Sequence, residues 1–115
     1  MNELSIAIDR SEERAVVRLA GSAGSGSAKK LDRCVRELLV EHPAAVVIDL
    51  SGVTFIASTA LALLAQLCRG LVAEGSRASI TGASPRIREV ITNARLESVL
   101  PLDEPSGATL ESRRP

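Results

Sequence analysis

Three sets of residues in this chain have types and spacings that bear on chemistry. The first is Ser58-Thr59, two hydroxyls lying between a short apolar run and a long one. From residue type alone Ser58 is an N-cap whose oxygen accepts from backbone N–H groups of a following helix. A phosphoacceptor is the sharper alternative, and Thr59 is the backup in either role. Asp49 interrupts the apolar run upstream, where an unpaired charge is costly. It either holds loop N–H groups near the end of its strand, the preferred reading, or joins a polar site beside Ser58. The second set is Gly21 to Ser27 followed by Lys29 and Lys30, which invites a phosphate cradle. The spacing refuses it. A P-loop needs Gly-Lys-Ser/Thr in succession, and a dinucleotide loop needs a third glycine where Lys29 stands. A mobile linker with Ser27 capping the next helix is expected instead. The third set is His42, Cys34 and Cys68. His42 sits in the closing turn of a helix, where a cation suits the dipole, and no catalytic partner set accompanies it. The cysteines lack CxxC spacing and companion zinc ligands, so both read as reduced packing residues. A redox link between them would require Cα atoms within about 7 Å. With no base and nucleophile pair and no ligand cluster, neither an enzyme nor a metal or other cofactor is expected.

The elements that must position these residues follow from periodicity. Glu3 to Asp9 alternates, with Leu4, Ile6 and Ile8 on one face, as a strand with one wet face does. Arg10 to Glu13 is a polar turn, and Ala15 to Leu19 is a second strand, close enough to form an antiparallel hairpin. Leu31, Cys34, Val35, Leu38 and Leu39 recur at helical spacing, and Pro43 closes that helix. Ala45 to Leu50 is β-branched, of strand length and stopped by Ser51-Gly52, the pattern of a strand covered on both faces. A helix from Ser58 to Glu74 carries Leu61, Leu63, Leu64, Leu67, Cys68, Leu71 and Val72, and Gly75 ends it at C′. Arg77 to Thr81 is a short strand. Ser84 caps and Pro85 opens a third helix with Ile87, Val90, Ile91 and Ala94 on one face. Leu96 to Leu102 returns to the core as a short strand or extended cover, and a disordered tail is expected over 103–115.

Strands joined through helices run parallel with right-handed crossovers. The expected fold is therefore α/β: one domain over 1–102, with a mostly parallel sheet, an N-terminal antiparallel hairpin and helices packed on the sheet. Partners meet such sheets at the C-terminal ends of the strands, where Ser51 to Thr59 lies.

Composition narrows the function further. Lys plus Arg equals Asp plus Glu, at 14 each, so no net field draws the molecule to nucleic acid or to an anionic membrane. Phe55 is the one aromatic residue, which removes any base-stacking platform. The start of the chain has no basic segment followed by an apolar core, and no uninterrupted apolar stretch reaches the ~18 residues of a membrane span. A soluble, cytoplasmic protein is expected, its oligomeric state left open.

Asp49-Leu50-Ser51-Gly52-Val53-Thr54-Phe55-Ile56, followed by Ala57-Ser58-Thr59-Ala60-Leu61, resembles the signature of STAS domains. The order of elements resembles the free-standing members, the anti-sigma factor antagonists. The likeness continues through Gly75, through Gly82-Ala83-Ser84-Pro85 and into Leu96 to Leu102. It implies partner switching. An unmodified antagonist binds an anti-sigma factor and frees the sigma factor; the same partner, as a serine kinase, phosphorylates the antagonist and breaks the complex; a serine phosphatase reverses the step. The modified serine of the family falls on Ser58, and the resemblance puts the partner-binding surface at Ser51, Gly52, Thr54, Phe55, Ile56, Ala57, Ser58, Thr59 and Ala60. Ala57 stands where the family has an acid and Ala60 where it has a glycine. The segment after Gly21 also lacks the apolar residue and acid that the family carries after its second strand. These departures keep a second expectation alongside the first: a constitutive docking or scaffold module without the switch. A receiver-type phosphoacceptor is weakly supported, since its acidic cluster and the helix directly after the first strand are missing.

Overall fold

The computed structural model describes residues 4–96 and 98–100, without the side chain of Ser25. The expected tail and residues 97, 101 and 102 of the closing apolar segment lie outside the described residues. Strands β1 (Ser5–Ser11) and β2 (Arg14–Ala23) form a hairpin, followed by a single 3-10 turn at Ser25–Ser27 and helix α1 (Ala28–Glu41). Then come β3 (Ala45–Ile56), α2 (Ser58–Ala73), β4 (Arg77–Thr81) and α3 (Pro85–Asn93). The sheet order is β1-β2-β3-β4, with β1 and β2 antiparallel and the remaining pairs parallel. This is the α/β arrangement that the pattern of strands and crossover helices implies.

Side-chain alternation divides the sheet into two unlike faces. Val17, Ile48 and Ile80 lie side by side across three strands and, with Leu19, Val46 and Leu50, point into one core. Leu31 and Leu38 of α1, Leu61, Leu64, Leu67 and Leu71 of α2, and Ile87 and Ile91 of α3 join the same core. The opposite face carries half-buried Val16, Val47, Asp49 and Ser79 and exposed Arg14, Arg18 and Arg77. The expectation that β3 is covered on both faces is thereby corrected. The helices share one side, so the alternate positions of β3 keep contact with solvent.

Two further expectations give way to tertiary pairing. Gly21, Ser22 and Ala23 are not linker but the last residues of β2, paired with Val53, Phe55 and Ile56. Ser27 occupies the N-cap position of α1, yet its hydroxyl donates to the carbonyl of Ser22 at 3.4 Å and caps nothing. By contrast Ser84 caps as expected, accepting from the N–H of Ile87 at 3.2 Å, with Pro85 the first residue of α3. Ala94 is exposed at the C-cap of α3 and lies outside its buried face. Beyond α3 the described residues form a tight turn, with the N–H groups of Val99 and Leu100 on the carbonyl of Leu96. Leu100 is fully buried, so the segment returns to the core by a turn where a strand or extended cover was expected.

Candidate partner-binding site

The site is built by β3 outrunning its neighbours. β4 ends at Thr81 opposite Asp49, and β1 begins at Ser5 opposite Ala20. From Gly52 to Ile56, β3 therefore pairs with β2 alone, a two-stranded extension beyond the four-stranded sheet. The sequence allows this because β3 is bulged twice. Leu19 alone faces Leu50 and Ser51, between the pairs Arg18–Asp49 and Ala20–Gly52. Thr54 is the extra residue between the pairs Gly21–Val53 and Ser22–Phe55. A bulge displaces a backbone N–H from the ladder, and here a side chain satisfies it. Asp49 Oδ1 accepts from the N–H of Ser51 at 2.9 Å, while its Oδ2 lies 4.0 Å from Arg18 Nε. Asp49 thus has the structural role, holding a bulge in mid-strand. Leu50-Ser51 is that bulge, and Ser51-Gly52 lies within the strand and does not end it.

The second bulge turns two consecutive side chains outward. Thr54 and Phe55 are both exposed, Phe55 by 54%, while Val53 and Ile56 point into the core. The ring edge of Phe55 lies over Gly24, 3.9 Å from where a Cβ would stand there. At the end of β3 the N–H of Ala57 donates to the carbonyl of Ala23 at 2.8 Å, and the carbonyl of Ala57 accepts from Leu61, the first bond of α2. Ala57, extended at φ −88° and ψ 162°, is the N-cap residue. This corrects the N-cap expectation for Ser58, which is one residue inside the helix and makes no capping bond. The helix does not depend on one. Leu61, Leu64, Leu67 and Leu71 are each 1% exposed and each contributes about 1.5–3 kcal/mol by burial, more than a cap supplies.

Ser58 and Thr59 are both exposed, and neither hydroxyl makes a hydrogen bond among the described residues. The first turn of α2 contains no acidic residue, so its free N–H groups leave a partial positive charge beside Ser58. Of the residues that the signature singled out, Ser51, Gly52, Thr54, Phe55, Ser58 and Thr59 are exposed and Ala57 is half-buried. Ile56 and Ala60 are buried and face the core. A groove of about 390 Å³ adjoins the site, lined by Lys29 and Asp32 of α1 and by Thr59, Ala62, Leu63 and Gln66 of α2. It arises because α1 and α2 run side by side with their N-termini at the same end of the molecule. No periodicity in the sequence discloses this groove.

Lys30 serves the fold, its Nζ donating to the carbonyl of Leu4 at 2.9 Å. His42 lies far from the site, in left-handed backbone at the end of α1, with Nδ1 3.8 Å from Glu74. Cys34 and Cys68 are buried free thiols, and burial pushes both up to about 11. Among the described residues no group of three or more His, Cys, Asp or Glu is placed to hold a metal, and no helix is long and apolar enough to cross a membrane.

Comparison with solved structures places this architecture among known ones. An anti-sigma factor antagonist from Mycobacterium paratuberculosis is similar with a TM-score of 0.80 and 25% identity, covering 98% of this chain and 96% of that one. The unphosphorylated form of the anti-sigma factor antagonist SpoIIAA matches with a TM-score of 0.73 at 17% identity, over 95% and 96% of the two chains. The phosphorylated form of SpoIIAA from Bacillus matches with a TM-score of 0.68 at 17% identity, over 95% and 100%. At 17% identity the two SpoIIAA structures speak for the fold alone. No curated protein matches the sequence. The family model described as "Mlab, STAS domain" matches residues 6–101, which take in the whole sheet from Ile6 onward, the three helices and the Ser58 junction. With that span matched, the chain belongs to the STAS domain family.

Proposed function

We propose that this protein is an anti-sigma factor antagonist that binds an anti-sigma factor acting also as a serine kinase, and that phosphorylation of Ser58 weakens the complex. One observation carries the reading. Ser58 is an exposed, unbonded hydroxyl at the positive end of the most heavily buried helix, beside the outward-facing Thr54 and Phe55. A phosphate there adds about −1.5 to −2 charge and three acceptor oxygens. Within the free protein the helix N-terminus accommodates that charge. At a packed interface the same charge must be desolvated or must face an acid of the partner, and binding is lost. The switch therefore alters association without refolding the domain, and a serine phosphatase restores it. In this reading the protein acts in the cytoplasm, is not an enzyme and requires no cofactor.

A second reading is supported by Ala57 and Ala60, which stand where antagonists of the resembling type carry an acid and a glycine. It is a constitutive docking module that is not phosphorylated. The description of the matching family model names a STAS domain without naming a kinase. Intact-mass measurement after incubation with the cognate kinase and ATP separates the two readings. One added phosphate, lost in Ser58→Ala and accompanied by release of the partner, is expected. An unchanged mass with binding retained overturns the switch in favour of the docking module.

A further inference from the structure

At the opposite end of the sheet from Ser58, the starts of β2, β3 and β4 lie side by side. The register puts Arg14 beside Ala45 and Ala45 beside Arg77, so two arginines flank one alanine. Their successors Ala15, Val46 and Ala78 belong to the core or pack against it, so Arg14, Ala45 and Arg77 share the face opposite the helices. Adjacent strands are about 4.8 Å apart, which sets the two arginine Cα atoms about 10 Å apart with only a methyl group between them. Both side chains line one open concavity of about 670 Å³ at this end of the sheet, together with Val47 and Ser79 two positions further along on the same face, the intervening Val46 and Ala78, and Val72 near the end of α2.

The two cations are also uncompensated. Arg10 is held by Glu41 at 2.7 Å, Arg18 by Asp9 at 2.6 Å and Arg36 by Asp32 at 2.9 Å. The guanidinium groups of Arg14 and Arg77 make no hydrogen bond or ion pair among the described residues, and Glu12 and Glu13 in the adjoining turn pair with neither. Two like charges on alternate strands repel weakly across the intervening alanine, and an anion held between them removes that repulsion. Guanidinium forks match the oxygens of phosphate and carboxylate, each able to donate two parallel N–H bonds.

We infer that Arg14 and Arg77, with the Ser79 hydroxyl beside them, form an oxyanion site over Ala45 that takes a phosphate or carboxylate group. Val47 gives the site an apolar wall for the carbon attached to that group. Ten residues of β3 lie between Ala45 and Ile56, about 35 Å of strand, so this site works independently of events at Ser58.

The test is a titration of the full-length, isotopically labelled protein with sodium phosphate and, separately, sodium acetate at constant ionic strength, followed by amide and arginine Nε–H resonances. Saturable shifts centred on Arg14, Ala45, Arg77 and Ser79 are expected, with a Kd on the order of 1 mM for an isolated anion. Arg14→Ala and Arg77→Ala should each weaken binding by about tenfold or more, the loss of a charge-assisted hydrogen bond. Ala45→Glu should abolish it by placing a carboxylate between the arginines, with the rest of the spectrum unchanged. All three side chains lie at the surface or near it, so folding is not at stake. Tighter binding of phosphate than of acetate makes the ligand a phosphate carrier, and the reverse order makes it a carboxylate carrier. Shifts that fail to saturate with either anion, or that persist in the Arg14→Ala, Arg77→Ala double variant, overturn the site.

Discussion

A single hydroxyl decides the proposed switch, and its surroundings predict what a change there does. Ser58 is exposed and caps nothing, so Ser58→Glu should leave the melting temperature nearly unchanged while weakening binding to the anti-sigma partner. Equal affinity of wild type and variant, read by calorimetry or pull-down, would remove the switch. Ser84 is the contrasting serine. Its oxygen is bonded to Ile87 N–H, and Ser84→Ala should cost about 1 kcal/mol in urea denaturation. The sequence alone did not separate the two. Both precede or open a helix in a polar-then-apolar pattern, but Pro85 marks Ser84 as the cap, whereas nothing local shows that Ala57 holds that position ahead of Ser58. Asp49 was legible in kind, as a carboxylate tied to loop N–H groups, because a charge in an apolar strand must be satisfied. That the N–H belongs to a bulge, with Arg18 behind it, depends on a strand thirty residues away in sequence.

Among the elements, β3 and its attachments carry the site, and two glycines show where the packing is rigid and where it can give. Gly82 has φ +76°, and a Cβ there would meet Ser51 N, Ser51 Cβ and Asp49 Oδ1, each at 2.9 Å. Gly82→Ala should destabilise by more than about 1 kcal/mol and disturb the Ser51 bulge, seen as a lower urea midpoint and shifted Ser51 and Gly52 resonances. Gly70 sits where α2 approaches α1, and a Cβ there would lie 2.6 Å from Leu39 Cδ2. That methyl is the far end of a half-buried, rotatable side chain, and alanine adds helix propensity of roughly 1 kcal/mol over glycine. Gly70→Ala should therefore be neutral or mildly stabilising by the same measurement. The helices were legible from their 3.6-residue periodicity, and β4 was legible to its ends. The length of β2 and β3 was not, because glycine and serine composition speaks for mobility until a partner strand supplies hydrogen bonds.

For the whole molecule, packing on one face of the sheet makes the core a single cooperative unit, and the two thiols report on it. Cys34 and Cys68 are buried and held protonated to about 11. A thiol reagent should label neither at mildly alkaline pH until urea unfolds the chain, and labelling of the native protein at the rate of a free thiol would contradict their burial. The pH dependence follows the sign of the shift. A thiol whose folded value is raised above its unfolded one contributes stability in full below about pH 9, and that contribution is lost as pH rises toward 11. Cys68→Ala should flatten this loss, seen in the denaturation midpoint across that range. By itself the sequence determined most of the residues that enter the core, with Val72 and Ala94 exposed against expectation, the order of elements, and hence the α/β fold with its one antiparallel hairpin. Apolar spacing is a local property, and chain connectivity dictates crossover direction. Only the tertiary structure decided that the helices share one side, that β3 runs bulged past its neighbours to lift Thr54, Phe55 and Ser58 outward, and that Arg14 meets Arg77 across Ala45. Each of these depends on register between strands distant in sequence, and register is set by packing and backbone pairing that no single segment contains.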